Sequence, residues 1–141
     1  MKPKRDYYNH QDVAMDLLNE IRTYTAGAPD DIKVWYKAAR VSDFPENGGA
    51  CIRYAGMQVA VFNFSRRMEW YACQNLCPHK MQMVLSRGMI GSHNGEPKVA
   101  CPFHKKTFSL RSGECLNAEE DRISVFPVKI EDGFVFIGFT K

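Results

Sequence analysis

Nothing in the 141 residues approaches the roughly 20 consecutive apolar residues of a membrane helix, so any membrane attachment would need a partner. No apolar segment follows the basic start Met1-Lys2-Pro3-Lys4-Arg5; no Sec-type signal peptide is expected, and the expected location is cytoplasmic. Net charge is small at +3, and the aromatics stand in alternating apolar runs rather than among lysines and arginines. That pattern gives a nucleic-acid partner no support. The five cysteines are an odd number without paired spacings, which argues against a disulfide framework. In a reducing compartment they are thiols or metal ligands. Internal repeats and low-complexity tracts are also missing, and the only linker-like stretch is 25–31.

What remains is an ordinary globular composition, 45% hydrophobic and 25% charged, of a length that suits one domain. Residues 9 to about 25 read as a helix, because Ala14, Leu17, Leu18 and Ile21 recur on one face. Asn9 or Asp12 is placed to cap its start, and Gly27 and Pro29 end it. Residues 1–32 are accordingly expected to be a helical extension to a domain spanning 33–141. From about Lys33 the period becomes that of strands. Residues 57–64 are a strand candidate rich in β-formers, and residues 68–74 are expected to pair back across Ser65, Arg66 and Arg67. Asn94-Gly95, Ser112-Gly113 and Asp132-Gly133 mark further tight turns, since glycine accepts the positive φ they need. Pro127 predicts an edge position or a gap in a ladder. Short strands without β-α alternation point to an all-β fold, a small antiparallel sandwich or barrel.

Two segments carry chemistry: Cys77-Pro78-His79-Lys80 and Cys101-Pro102-Phe103-His104. Proline cannot donate to a ladder, so both are expected to leave the strands as loops. Each offers one soft sulfur and one imidazole nitrogen, giving four donors of S₂N₂ character. Structural zinc sites usually pair cysteine with cysteine and histidine with histidine in their short spacings. Here each short spacing mixes the two. A [2Fe–2S] cluster explains the mixture, with both cysteines on one iron and both histidines on the other. Zinc is the alternative, and the plain structural reading is two buried cysteines and two satisfied histidines. Cys51, Cys73 and Cys115 read as buried thiols. His10 and His93 read as exposed, and Trp35 and Trp70 as core or interface aromatics.

The spacing Cys77-x-His79 with Cys101-x-x-His104 resembles the Rieske family. The flanks narrow the likeness: Leu85-Ser86-Arg87-Gly88, then the approach from Gly95 through Val99 and Ala100 to Cys101, then Lys105-Lys106-Thr107-Phe108 and Gly113-Glu114-Cys115-Leu116-Asn117. Together they are similar to the small subunit of assimilatory NAD(P)H-dependent nitrite reductase, over about 33–139. The 21-residue linker 80–100 is longer than is common among Rieske proteins and suits this branch. The resemblance implies a Rieske-type fold with a cluster-binding loop subdomain, and Cys77, His79, Cys101 and His104 as ligands. It also implies a large subunit carrying flavin and siroheme, where nitrite becomes ammonium. The sequence fits a dependent role, with no dinucleotide fingerprint, P-loop or nucleophile–base set. The competing functions are a Rieske ferredoxin serving a ring-hydroxylating dioxygenase and, in another class, a zinc-bound or metal-free scaffold domain.

Respiratory Rieske proteins tie their loops with a disulfide, at positions matched here by Gln82 and Phe103. They also direct serine and tyrosine hydroxyls at the sulfurs, where this chain has Lys106 and Phe108. Fewer donors stabilise the reduced, more negative cluster less. Lys80, Arg87, Lys105, Lys106 and Arg111 form a basic rim that would steer docking onto an acidic partner. The expected midpoint therefore lies toward the negative end of the roughly −150 to +300 mV Rieske range; a potentiometric value above about +150 mV would overturn the assignment.

Overall fold

The computed structural model describes residues 31–140. The fold is organised around one strand whose two faces are both buried. β3 (Met57–Phe64) carries β-branched or aromatic residues at Val59, Val61, Phe62 and Phe64, and all of its residues but Gln58 are buried. Side chains alternate across a strand, so β3 divides them between two cores. Met57, Val59 and Val61 face one core with Phe44, Ala72, Val135, Ile137 and Phe139. Ala60, Phe62 and Phe64 face the other with Cys73, Leu85, Val99, Phe108, Leu110 and Ile123. Each valine, leucine, isoleucine, phenylalanine or methionine among them, once fully buried, contributes about 1.5–3 kcal/mol.

The first core lies between two antiparallel sheets. One has the order β10 (Val125–Phe126), β4 (Glu69–Gln74), β3, β2 (Gly48–Tyr54); the other has β1 (Val34–Arg40), β12 (Phe134–Phe139), β11 (Val128–Glu131). Pro127 sits where the chain leaves β10 on the first sheet and begins β11 on the second. The ladder gap expected there is thus a crossing between sheets, and the Pro127 carbonyl still accepts from Gly138 N–H at 2.9 Å. The second core is closed by two smaller sheets, β5 (Leu76–Cys77) with β6 (Gln82–Met83), and β7 (Met89–His93), β8 (Glu96–Ala100), β9 (Thr107–Ser109). The all-β antiparallel fold is as expected.

Turns follow local chemistry. Asn94-Gly95 and Asp132-Gly133 each hold two successive positive φ angles, 52° and 82°, then 52° and 79°. That is type I′ geometry, which matches the twist of paired strands. Residues 65–67 form one 3-10 turn, after which Met68 in the left-handed region starts the return to β4. Gly88 allows a close approach between subdomain elements, since a Cβ there would lie 2.4 Å from the Ala100 carbonyl oxygen.

The helix expected over residues 9 to about 25 lies outside the described residues. No described helix is long and apolar enough to cross a membrane. Cys51, expected to be buried, is exposed on β2, the edge strand of its sheet, and Cys115 is only partly buried. Cys73, on β4, is fully buried.

Burial pushes the Cys73 thiol far above its ordinary value of 9.0. The folded state keeps this proton while the unfolded chain gives it up above about pH 9, so stability falls as pH rises past that point. A Cys73→Ala variant, less stable at neutral pH, is expected to show a loss shallower by about 1.4 kcal/mol per pH unit between pH 9 and 10.5, measured by urea denaturation.

Candidate metal centre

The two loops singled out in the sequence are built alike and stand beside each other. In the first, Cys77 pairs with Gln82 across β5 and β6, enclosing residues 78–81. In the second, Cys101 N–H donates to the Lys106 carbonyl at 2.8 Å and Lys105 N–H donates to the Cys101 carbonyl at 2.9 Å, enclosing 102–105. Both loops thus hold four residues, start on proline and close on a left-handed residue: Met81 at φ 55° and Lys105 at φ 59°.

This construction sets the two donor types at different depths. Cys77 and Cys101 belong to the second core and are fully buried. Their thiols lie within hydrogen-bonding reach of each other. Burial is the main cause that pushes the Cys77 thiol up to about 11; the His79 and Lys80 backbone N–H groups oppose it by donating to the sulfur, and the neighbouring Cys101 adds to it. At the outer end, the rings of His79 and His104 stand edge to face with centroids 4.9 Å apart. His79 is partly buried and His104 is exposed.

All four predicted residues are therefore brought together, sulfur beside sulfur and ring beside ring. Among the described residues, no group of three or more His, Cys, Asp or Glu side chains closes around a single ion. Two separate pairs, one of sulfur and one of nitrogen, fit the donor chemistry of a two-iron cluster in which each iron takes one pair.

Around the tip the surface mixes apolar and basic groups. Phe103, at 60% exposure, and Met81 project from the two loops beside exposed Lys80 and Lys105. Arg87 and Arg111 are exposed and Lys106 is partly so. Phe108, in place of a hydroxyl donor, is fully buried in the second core. The cysteines form no disulfide among the described residues. His93 is exposed, as expected.

Three polar residues that were not singled out from sequence hold the loops. Asn75, buried just before Cys77, accepts from Ser86 N–H with Oδ1 at 2.7 Å and donates from Nδ2 to Gln58 Oε1 at 3.0 Å. Its carbonyl also takes the Val84 and Leu85 N–H groups, both at 3.0 Å. Asn117 donates from Nδ2 to the Lys105 carbonyl at 2.8 Å and accepts from Thr107 N–H at 3.0 Å. Glu120 places Oε1 2.8 Å from His79 Nδ1. The available signal for Glu120 was an acidic run, Glu119-Glu120-Asp121, in a chain whose loops are otherwise basic.

A profile of the Rieske-like [2Fe-2S] domain family matches residues 34–138. The nitrite reductase (NADH) small subunit of Salmonella typhimurium is 33% identical over 101 residues, covering 72% of this chain and 94% of that one. The nitrite reductase [NAD(P)H] of Emericella nidulans is 40% identical over 107 residues, and there the match spans only 10% of the relative's length. Among solved structures, the Escherichia coli protein NirD superposes with a TM-score of 0.69 at 30% identity, covering 77% of this chain and 98% of that one.

Asn75 couples the first loop to β3 through side-chain bonds that alanine cannot make. Asn75→Ala leaves the Ser86 N–H without its acceptor and is expected to cost about 1–3 kcal/mol, read as a lower urea midpoint at unchanged slope.

Proposed function

The chain belongs to the Rieske-like [2Fe–2S] domain family, and from that premise we propose that it is the electron-transfer small subunit of an NAD(P)H-dependent nitrite reductase. The observation that carries the reading is the pairing at the loop tips, with the two sulfurs together in the core and the two rings together at the surface. In this reading Cys77 and Cys101 hold the inner iron as thiolates, and His79 and His104 hold the outer iron. The bound cluster supplies one-electron transfer between fixed oxidation states. Cys77 and Cys101 would hold the cluster as thiolates, the form in which cysteine ligates a metal.

The protein's part is to fix the donors and to present one end of them. Backbone N–H groups of His79 and Lys80 donate toward the Cys77 sulfur, which favours added negative charge there. His104 is exposed at the tip, the natural side for electron exchange with a partner. Phe103 and Met81 give that tip an apolar contact surface, and Lys80, Lys105 and Lys106 steer it toward an acidic patch. The proposed partner is a large subunit bearing flavin and siroheme, which binds the nicotinamide and reduces nitrite to ammonium in nitrate assimilation in the cytoplasm. Small subunits of this kind are matched over nearly their full length. Residues 33–141 are proposed as the cluster domain and 1–32 as an extension to it.

The test is spectroscopic and then functional. Protein produced with sufficient iron is expected to show visible absorption and, after reduction, a rhombic EPR signal. Cys101→Ser should abolish both. Mixed with a siroheme-containing large subunit, the wild-type chain should co-purify with it and restore NAD(P)H-dependent nitrite reduction. A colourless, EPR-silent protein holding only zinc would overturn the proposal in favour of a scaffold.

A further inference from the structure

The first core is covered by a sheet on each face but not along one side. β1 and β2 are the end strands of their two sheets, and among the described residues each has a ladder partner on one side only. Tyr36 and Ala38 of β1, with Ala50, Ile52 and Tyr54 of β2, pack against the first core, yet all five are only partly buried. Their neighbours one strand further in are buried: Ile137 opposite Tyr36, and Val61 and Val59 opposite Ala50 and Ile52. The two tyrosines meet across the gap between the sheets, with ring centroids 5.0 Å apart. An apolar seam therefore runs along the side of the sandwich, about 23 Å long over the seven residues of β2. Open strand edges invite pairing with other chains, and a helix or loop is a common cover.

Three observations say what covers this one. The first is where the chain enters. Lys33 N–H donates to the Phe139 carbonyl at 2.9 Å, and the Phe139 ring stacks on Tyr54 at 3.9 Å. Residues 1–30 thus join the domain at one end of the seam. The second is length and pattern. Ala14, Leu17, Leu18 and Ile21 give residues 9–25 one apolar stripe, and a helix of that size is about 25 Å long, the length of the seam. Residues 26–30 span at most about 18 Å, which keeps the end of such a helix near Tyr54. An isolated helix this short is marginal in water, so its stripe needs a surface. The third is charge. Asp12, Asp16 and Glu20 recur every four residues beside the stripe. The seam is rimmed by exposed Lys33, Lys37 and Arg53, and neither β1 nor β2 contains an acid. The outer face of the β1–β12–β11 sheet is a poorer seat, because Lys129 Nζ already lies 4.6 Å over the Trp35 ring and 5.7 Å over Phe136. A second copy is poorer still, because seam against seam would bring like charges together.

We propose that residues 9–25 of this chain form a helix lying along the seam between β1 and β2, with Leu17, Leu18 and Ile21 against Tyr36, Ile52 and Tyr54 and the acids toward the basic rim. The segment closes the first core on its open side and shields both strand edges from other chains. It uses no residue of the two ligand loops, so it stands or falls separately from the cluster assignment.

The test uses the full chain, isotope-labelled, with NOE spectroscopy and amide hydrogen exchange. Methyl groups of Leu17, Leu18 and Ile21 are expected to give cross-peaks to ring protons of Tyr36 and Tyr54. Amides of the segment are expected to exchange at least about tenfold more slowly than in a synthetic peptide of residues 9–25. Leu18→Asp is expected to return them to the peptide rate while β3 stays as protected as in the wild type; continued protection of the segment in L18D would overturn the proposal. Wild-type cross-peaks decide alone if L18D does not fold. Exchange at the peptide rate in the wild type, or cross-peaks from the segment to residues outside the seam, overturns it. A mixture of labelled and unlabelled chains tests for a second copy: cross-peaks within one chain support the proposal, and cross-peaks between chains overturn it. A seam protected only after a large subunit is added belongs to that partner, which also overturns it.

Discussion

The constraint on which the structure depends is that β3 has no solvent face. A strand buried on both sides reads as a nearly continuous apolar run and forces a layer against each side. One layer is the three-stranded sheet of β1, β12 and β11, which completes a sandwich. The other is the pair of small sheets that carry the loops. The site is therefore not an appendage on a finished domain. Phe62 and Phe64, on the second face, pack in the same cluster as Cys77 and Cys101. Folding of the sandwich and placement of the sulfur donors are one packing problem.

From this follows the polarity of the site. A four-residue loop rooted in a core strand puts its first residue deep and its middle residues outside. Each loop springs from a buried cysteine and carries histidine among its own middle residues, so sulfur lies deep and nitrogen lies toward the surface by construction. Thiolates gain from a dry, donor-lined environment only when a cation neutralises them, since a buried thiol on its own stays protonated. The imidazoles at the rim carry no such penalty when neutral. The mixed spacing that looked odd for zinc is thus what a site needs if its two metals sit at different depths.

Much of this was legible in sequence because the governing signals are local. The run 57–64, the return strand after Arg67 and the turns at Asn94-Gly95 and Asp132-Gly133 follow from strand-forming residue types and positive φ. The four loop residues were legible from residue type and spacing alone, and the structure brings them together. What sequence did not give was the hydrogen bonding between distant segments. The side chains of Asn75, Asn117 and Glu120 act on residues 10 or more positions away, and neither the flanking motif that holds Asn117 nor the acidic run around Glu120 says which distant group each one meets. Pro127 was read as a gap without its meaning, because a change of sheet is a tertiary fact. Cys51 was assigned to the interior from its strand-like context, yet on an edge strand alternate side chains can face water.

The same interlocking has a consequence for electron transfer. A carrier works best when its ligands move little between oxidation states, so the surrounding shell must hold them against the change in charge. Here the shell is made of three chain segments bonded mainly through backbone groups and amide side chains: Asn75 at the base of the first loop, Asn117 at the base of the second, and Gln74 with Ser124 behind both. Neutral amides suit that task, because their bonds do not depend on the charge of the metal centre or on ionic strength. Ionic groups gather instead at the tip, on lysines 80 and 105, where salt-sensitive attraction acts on encounter with a partner and not on the geometry of the site. Glu120 is the exception, an acidic group drawn into the shell itself.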